Sequence, residues 1–117
     1  MNDWVVQLRK GLLELCVLNL LRHGESYGYR IVQDLKEIDE LAVTESTVYP
    51  ILNRLRRDNY LRVRAVSSKE GPPRRYYALT GPGRRRAAEM DDYWRSLGEA
   101  VERLKADKAG SRGHEDE

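Results

Sequence analysis

Residues 44–59 read TESTVYPILNRLRRDN, and this stretch predicts a helix with two different faces. One narrow apolar stripe recurs at helical spacing and consists of Val48, Ile51, Leu52 and Leu55. The opposite face carries hydrogen-bond donors and cations: Ser46, Thr47, Tyr49, Asn53, Arg54 and Arg57. Thr44 or Ser46 can cap the helix start, because its side-chain oxygen can accept from a free backbone N–H. This pattern is typical of a helix that packs one face on a core and presents the other to DNA. It is equally typical of an ordinary surface helix with a solvated charged face.

Composition limits the class of protein. With 117 residues, the chain is long enough for one domain with a modest core. No apolar run approaches the roughly 20 residues that span a bilayer. The N-terminus lacks the features of a signal peptide, so we expect a cytoplasmic protein with no membrane partner.

The residues that chemistry needs are sparse. Cys16 is the single cysteine, which excludes an internal disulfide and a multi-cysteine metal cluster. No nucleophile–base pair, phosphate-binding glycine loop or metal-ligand pattern is evident in the sequence. We therefore expect no catalytic residues, no metal and no cofactor.

Charge is concentrated in the middle of the chain. Residues 54–86 hold eleven basic and two acidic residues, a net charge of +9, whereas the flanking segments carry −3 and −4. A basic centre in a chain of net charge +2 indicates one face built to meet a polyanion.

Two helices are predicted before the quoted stretch. Residues 8–22 are apolar nearly all round, so this helix must be covered on most sides, by the core and by the C-terminal helix or a second subunit. Gly24 suits the left-handed position after its end. Ser26 can cap a second helix, about residues 27–38, whose core stripe is Ile31, Val32, Leu35 and Ile38. A short connection then leads to the third helix, as in a helix-turn-helix.

A basic hairpin is predicted to follow. Residues 61–66 alternate apolar and basic side chains, the period of a half-buried strand, and residues 74–79 read as the returning strand. The turn-rich loop 67–73 would place Lys69, Arg74 and Arg75 at or near the hairpin tip. The alternative is a solvated hairpin whose charges only protect its edges from aggregation.

The C-terminal segment predicts a long helix, capped by Thr80 and running to about residue 106. Its apolar positions are spaced 3, 4, 3, 4 and 3 residues apart: Ala87, Met90, Trp94, Leu97, Val101 and Leu104. This seam predicts a homodimer, with Leu12 and Leu15 of the first helix supplying the second contact surface. The alternative is packing onto the first helix of the same chain. Residues 108–117 are predicted to be a disordered tail.

Together these elements predict a mostly α fold with a small β-hairpin: a winged helix-turn-helix over residues 1–79 and a dimerisation helix over residues 80–107. Ser46, Thr47, Tyr49 and Asn53 would face the major groove of double-stranded operator DNA. The phosphate contacts would come from Arg54, Arg57, Lys69, Arg74 and Arg75. Two rivals stay open, a non-specific architectural DNA binder and a winged-helix protein-interaction module.

Five motifs give the chain a family resemblance: QLRKG at 7–11, LELCVL at 13–18, YGY at 27–29, STVYP at 46–50 and PRRYYALT at 73–80. In this order they resemble the PadR family of bacterial transcriptional regulators, in its small subfamily with one C-terminal helix. The resemblance implies a dimer built through the first and last helices, and repression of a nearby promoter.

The resemblance also implies a small aromatic effector in some members. Trp94 matches a tryptophan that stacks on the ligand in drug-binding members, and Leu15 and Ala87 fall where other pocket residues would be. Gly98 stands where a drug-binding relative has an acidic residue. The alternative for Trp94 is an aromatic of the dimer core, and the two roles can coincide.

Overall fold

The computed structural model describes residues 3–107, which form five α-helices and a three-stranded antiparallel sheet. The elements in chain order are α1 (Asp3–Arg9), α2 (Leu12–Leu21), β1 (Ser26–Tyr27), α3 (Gly28–Lys36), a 3-10 turn (Asp39–Leu41), α4 (Glu45–Arg57), β2 (Leu61–Val66), β3 (Arg74–Leu79) and α5 (Gly81–Asp107). The predicted class, mostly helical with a small hairpin, is confirmed. The tail predicted at 108–117 lies outside the described residues.

The chain divides into two compact units, Met1–Ala87 and Ala88–Glu117. The N-terminal unit holds the sheet and, among the described residues, every buried hydrophobic side chain, from Leu13 to Ala87. The described part of the second unit belongs to α5, which exposes five large side chains there: Tyr93, Trp94, Leu97, Val101 and Leu104.

The first predicted helix is two helices. The chain breaks at Lys10 and Gly11, so the prediction of one continuous helix from residue 8 to 22 is wrong. Glycine is a poor helix former because it loses the most backbone freedom, and Gly11 caps α2 without a side-chain hydrogen bond. α2 packs against α3, α4 and β3. The apolar side chains of α2 are therefore covered largely by other elements of the same unit.

The hairpin gains a third strand that the sequence analysis missed. Ser26 does not cap a helix; instead Ser26 and Tyr27 pair with Tyr77 and Tyr76 of β3. The strand order is β1-β3-β2, so β3 lies at the centre of the sheet. The predicted strands β2 and β3 are confirmed, in a register that runs from Leu61 opposite Leu79 to Val66 opposite Arg74.

The second helix ends earlier than predicted. α3 stops at Lys36, and Ile38 leaves the predicted core stripe with 47% of its surface exposed. The 3-10 turn that follows redirects the chain through Ala42, which has a φ of +47°. Val43, which follows this turn, is buried although no predicted core stripe included it.

α4 carries the quoted stretch. Thr44 is its cap residue, but the hydroxyl makes no bond to a backbone N–H and lies 2.9 Å from Ser46 Oγ. Pro50 therefore occupies the sixth helical position, where its missing N–H leaves the Ser46 carbonyl without its helical donor. The buried face of Val48, Leu52 and Leu55 holds the helix in place to Arg57.

The end of α4, the hairpin and the start of α5 pack closely against one another. Thr80 Oγ1 accepts from the Gly83 backbone N–H at 3.0 Å and donates to the Asn59 carbonyl at 2.7 Å, as the predicted cap requires. Gly83 has no room for a side chain, because a Cβ there would overlap the Tyr60 carbonyl oxygen. The start of α5 is thereby fixed against the end of α4.

Candidate nucleic-acid interface

The outward face of α4 presents the polar residues that the sequence predicted for it. Ser46, Asn53 and Arg57 are exposed, and Thr47 and Tyr49 are half-buried. Thr47 Oγ1 lies 3.1 Å from Thr44 Oγ1, so its hydroxyl already has a partner within the protein. Ser46 Oγ also lies near Thr44 Oγ1, at 2.9 Å, whereas Asn53, further along α4, makes no side-chain hydrogen bond within the described residues.

Arg54 lies in an ion-pair cluster. Its guanidinium donates at 2.6 Å to Glu14 of α2, and the second Glu14 oxygen accepts from Arg86 at 3.3 Å. Arg86 also donates to the Tyr60 hydroxyl at 2.5 Å and lies 4.2 Å above the Tyr60 ring. Arg54 was predicted to bind DNA phosphates. This cluster was not predicted, because its members are separated by up to 72 residues.

Tyr49 is packed against the start of α3. A Cβ at Gly28 would lie 2.7 Å from a ring carbon of Tyr49, so only glycine lets the ring approach this closely. Burial raises the pKa of the Tyr49 hydroxyl, and the charge of Glu45 adds to the effect. The Tyr49 hydroxyl therefore stays protonated and able to donate a hydrogen bond, and its ring lies against Gly28 at the start of α3.

Two arginines of the hairpin lie over aromatic rings. The Arg74 guanidinium lies 4.5 Å above the Tyr27 ring, and that of Arg64 lies 5.3 Å above the Tyr76 ring. Arg64 also forms a two-pronged ion pair with Glu25, at 3.0 and 2.5 Å. The hydrogen bond from Arg64 holds the pKa of Glu25 below its usual range.

Three of the predicted phosphate-binding cations are exposed and have neither an acidic partner nor a contact with an aromatic ring within residues 3–107: Arg57, Lys69 and Arg75. An unpaired cation binds a phosphate at a lower free-energy cost than a paired one, because no internal ion pair must break. Arg57 is on α4, and the other two belong to the hairpin.

The second unit exposes the predicted seam. Trp94 is 49% exposed and Leu104 62% exposed, with Leu97 and Val101 in the same range, while Met90 and Gly98 are half-buried. The seam's first member, Ala87, is fully buried in the N-terminal unit, as is most of Leu15, and Leu12 is half-buried. Leu15 and Ala87 therefore present almost no surface to a second chain or a ligand in this conformation. Trp4 and Leu8 of α1 are exposed apolar residues that the predicted interface did not include.

Within residues 3–107, no group of three or more histidine, cysteine, aspartate or glutamate side chains is placed to hold a metal ion. Cys16 is half-buried, and burial raises the pKa of its thiol. None of the helices described is both long and apolar enough to cross a membrane.

Helices α2 to α4, followed by a β-hairpin, form a winged helix-turn-helix. The chain belongs to the transcriptional regulator PadR-like family, whose model matches residues 17–89. The resemblance drawn from the five motifs is thereby confirmed, and with it the class of protein, a transcriptional regulator.

Solved structures support the same assignment. A PadR-like transcription factor from Bacteroides fragilis is 42% identical, with a TM-score of 0.74 over 88% of this chain and 99% of that chain. A PadR family regulator from Eggerthella lenta is 31% identical, with a TM-score of 0.80 over 87% and 88%. Bacillus subtilis PadR, solved in complex with operator DNA, is 29% identical, with a TM-score of 0.61 over 68% of this chain and 45% of that chain.

Proposed function

We propose that this chain is a dimeric, sequence-specific DNA-binding regulator. We also propose that it is cytoplasmic and represses transcription from a promoter. The observation that carries the proposal is the convergence of α4 and the hairpin: Tyr49, Arg74 and Arg75 line one shared cleft. A helix face and a basic wing that meet in this way can engage a groove and its flanking phosphates together. The operator complex of the Bacillus subtilis relative supports the choice of partner.

The proposed contacts divide by chemistry. Ser46, Thr47 and Tyr49 lie on the first two turns of α4, the end that enters the major groove in helix-turn-helix proteins. Asn53 follows one turn after Tyr49, and an asparagine can pair with adenine. Arg57, Lys69, Arg74 and Arg75 neutralise phosphates. Arg54 acts chiefly through Glu14, by holding α4 against α2.

Dimerisation is proposed from the exposed apolar stripe of α5. Trp94, Leu97, Val101 and Leu104 recur at the 3-4 spacing of a helix that packs on another helix, yet all are exposed in the single chain. The exposed Trp4 and Leu8 of α1 offer a second apolar surface. Two copies would address half-sites about 10 bp apart if the dimer is two-fold.

Matched variants test the dimer. Leu97→Glu puts a charge into the stripe, and Ser96→Glu puts the same charge on an exposed neighbour outside it. Analytical ultracentrifugation is expected to give a dimer for the wild type and Ser96→Glu, and a monomer for Leu97→Glu. A wild-type monomer at micromolar concentration, or a dimer in both variants, would overturn the proposed interface.

A small aromatic effector is proposed beside Trp94, where half-buried Gly98 leaves open space on the same helix. Ligand binding there would shift the dimer between two spacings of its α4 helices and so relieve repression. Titration of flat aromatic compounds with Trp94 fluorescence, using Trp94→Phe to subtract Trp4, tests binding. Quenching with unchanged DNA affinity would contradict the regulatory part.

The experiment that tests DNA recognition is fluorescence anisotropy across a salt series. The full chain is titrated onto duplex from the region upstream of its own gene and onto a scrambled duplex of equal length. We expect a preference of about a thousandfold that survives physiological salt, because non-specific binding is mainly electrostatic. Equal binding to genomic upstream fragments and scrambled duplex would favour an architectural role. No binding at low salt would favour a protein-interaction module.

A further inference from the structure

A cleft of about 500 Å3 opens between the start of α3, the first turns of α4 and the loop end of the hairpin. Its volume lies within the range of small-molecule sites, roughly 300–1,000 Å3. Pro72 and Pro73 line it together with four tyrosines and two arginines: Tyr27, Tyr29, Tyr49, Tyr77, Arg74 and Arg75. It belongs wholly to the N-terminal unit and is separate from the seam of α5.

The walls combine flat aromatic surface with positive charge. The Arg74 guanidinium is held 4.5 Å above the Tyr27 ring, which leaves a fixed cation at the wall. Arg75 is exposed and has no acidic partner within the described residues. None of the residues that form the wall is acidic. Glu45 lies outside the wall, although its charge reaches the Tyr49 hydroxyl.

This chemistry fits one class of ligand. An anionic group can accept hydrogen bonds from guanidinium N–H groups and from tyrosine hydroxyls. A planar ring can stack or pack edge-on against the tyrosine faces. A free metal cation or a cationic drug has no counter-charge in the wall and would be repelled by the two arginines.

We propose that this cleft binds a small planar aromatic anion, a single ring that bears a carboxylate or phosphate group, and that such binding excludes DNA. The exclusion rests on the proposed function, since Tyr49, Arg74 and Arg75 are also proposed DNA contacts. Release of DNA by this route is direct competition within one subunit and needs no change in the dimer.

Direct binding is tested first, without DNA, by NMR titration of the full 15N-labelled chain with phenyl phosphate. Inorganic phosphate carries the charge without the ring, and benzyl alcohol carries the ring without the charge. We expect saturable shifts at the amides of Gly28 and Arg74–Tyr77, with each matched probe at least about tenfold weaker, since each lacks one interaction of about 1.4 kcal/mol. Equal affinity for inorganic phosphate, or shifts confined to α5, would overturn the cleft as an aromatic-anion site.

Variants distinguish specific binding in the cleft from an effect of the protein's overall charge. Arg75→Ala is expected to weaken phenyl phosphate binding by about tenfold, whereas Arg84→Ala, the same charge change at an exposed arginine outside the cleft, leaves it unchanged. Tyr27→Leu removes one aromatic wall and the support of Arg74, and should also weaken binding. Thermal unfolding confirms that each variant is folded. Equal weakening by Arg75→Ala and Arg84→Ala would reduce the effect to overall charge and overturn the proposal.

Competition is measured separately, on whichever duplex the anisotropy experiment shows to bind. The apparent DNA Kd should rise in proportion to phenyl phosphate above its own Kd, with no rise from benzyl alcohol. An unchanged DNA Kd at saturating ligand overturns the competitive part. If the chain binds no DNA at all, the proposed function fails, while the NMR titration still decides whether the cleft binds its ligand.

Discussion

Glu14 and Arg54 lie 40 residues apart in the sequence and form an ion pair of 2.6 Å between α2 and α4. The same carboxylate reaches Arg86 at 3.3 Å, near the start of α5. One side chain, 17% exposed, thus joins the helix proposed to read DNA to two other elements. Loss of the Glu14 carboxylate is therefore expected to change the orientation of α4 and to lower the free energy of unfolding.

Glu14→Gln tests the cluster. The amide keeps the shape of the side chain but cannot balance two guanidinium groups, so we expect the free energy of unfolding to fall by about 1–2 kcal/mol, allowing for partial solvent screening. Urea denaturation measures it. Glu37→Gln, at an exposed glutamate with no ion pair in the described residues, is the control and should change stability by less than about 0.5 kcal/mol. Equal stability of the two variants would contradict the role given to Glu14.

Arg54 and Arg57 should separate in their effects although they lie one turn apart. Arg57→Ala is expected to leave stability unchanged, weaken binding to every duplex, and reduce the slope of log K against log salt by about 1. Arg54→Ala is expected to lower the free energy of unfolding by about 1 kcal/mol, because Glu14 loses its closest partner. Denaturation and salt-dependent anisotropy of both variants give the comparison. A reversed pattern would return Arg54 to the phosphate contacts.

Gly83→Ala should be severe. The new Cβ would overlap the Tyr60 carbonyl oxygen, a backbone atom that cannot rotate away, so we expect a loss of about 3 kcal/mol. Gly81→Ala is the matched control in the same turn, because its nearest neighbour, the flexible end of Arg85, would lie 3.7 Å away. Thermal unfolding of the two variants is the measurement. A Gly83→Ala variant that loses no more stability than Gly81→Ala would contradict the close packing of Gly83 against Tyr60.

The Glu25–Arg64 pair predicts a pH effect. Since the folded-state pKa of Glu25 is lowered, the pair's stabilisation is present above the ordinary pKa of 4.5 and is lost as pH falls through the folded value. Arg64→Gln should return the pKa of Glu25 toward 4.5 in a 13C NMR titration. Arg62→Gln should move it less, because Arg62 acts only through its charge and makes no hydrogen bond to Glu25. Equal shifts in both variants would assign the effect to general positive charge.

Local patterns predicted most of the fold. The stripe of Val48, Leu52 and Leu55, the alternation of residues 61–66 and the Thr80 cap each depend on neighbours a few residues away, and each is confirmed. β1 was missed because two residues carry no period. The loss of Ile38 from the core follows from where α3 ends, which its stripe does not encode.

The candidate site was less predictable than the fold. Residue type and helix face identified Asn53 and Arg57 as outward-facing groups, but the diversion of Arg54 depends on a carboxylate 40 residues away. The close contact of Tyr49 with Gly28, and the cleft beside it, arise from tertiary packing. Neither could be read from spacing along one helix.

The central position of β3 bears on how such a regulator can diversify. β1 on one side and β2 on the other fix the strand register near Tyr76 and Tyr77, and Thr80 anchors its far end. The loop 67–73 hangs from the opposite end of the hairpin, where only Arg74 and Val66 pair beside it. Its length and charge can therefore drift through insertion or deletion while the scaffold keeps its geometry. Target preference could be retuned there by small genetic steps, without refolding the rest of the molecule.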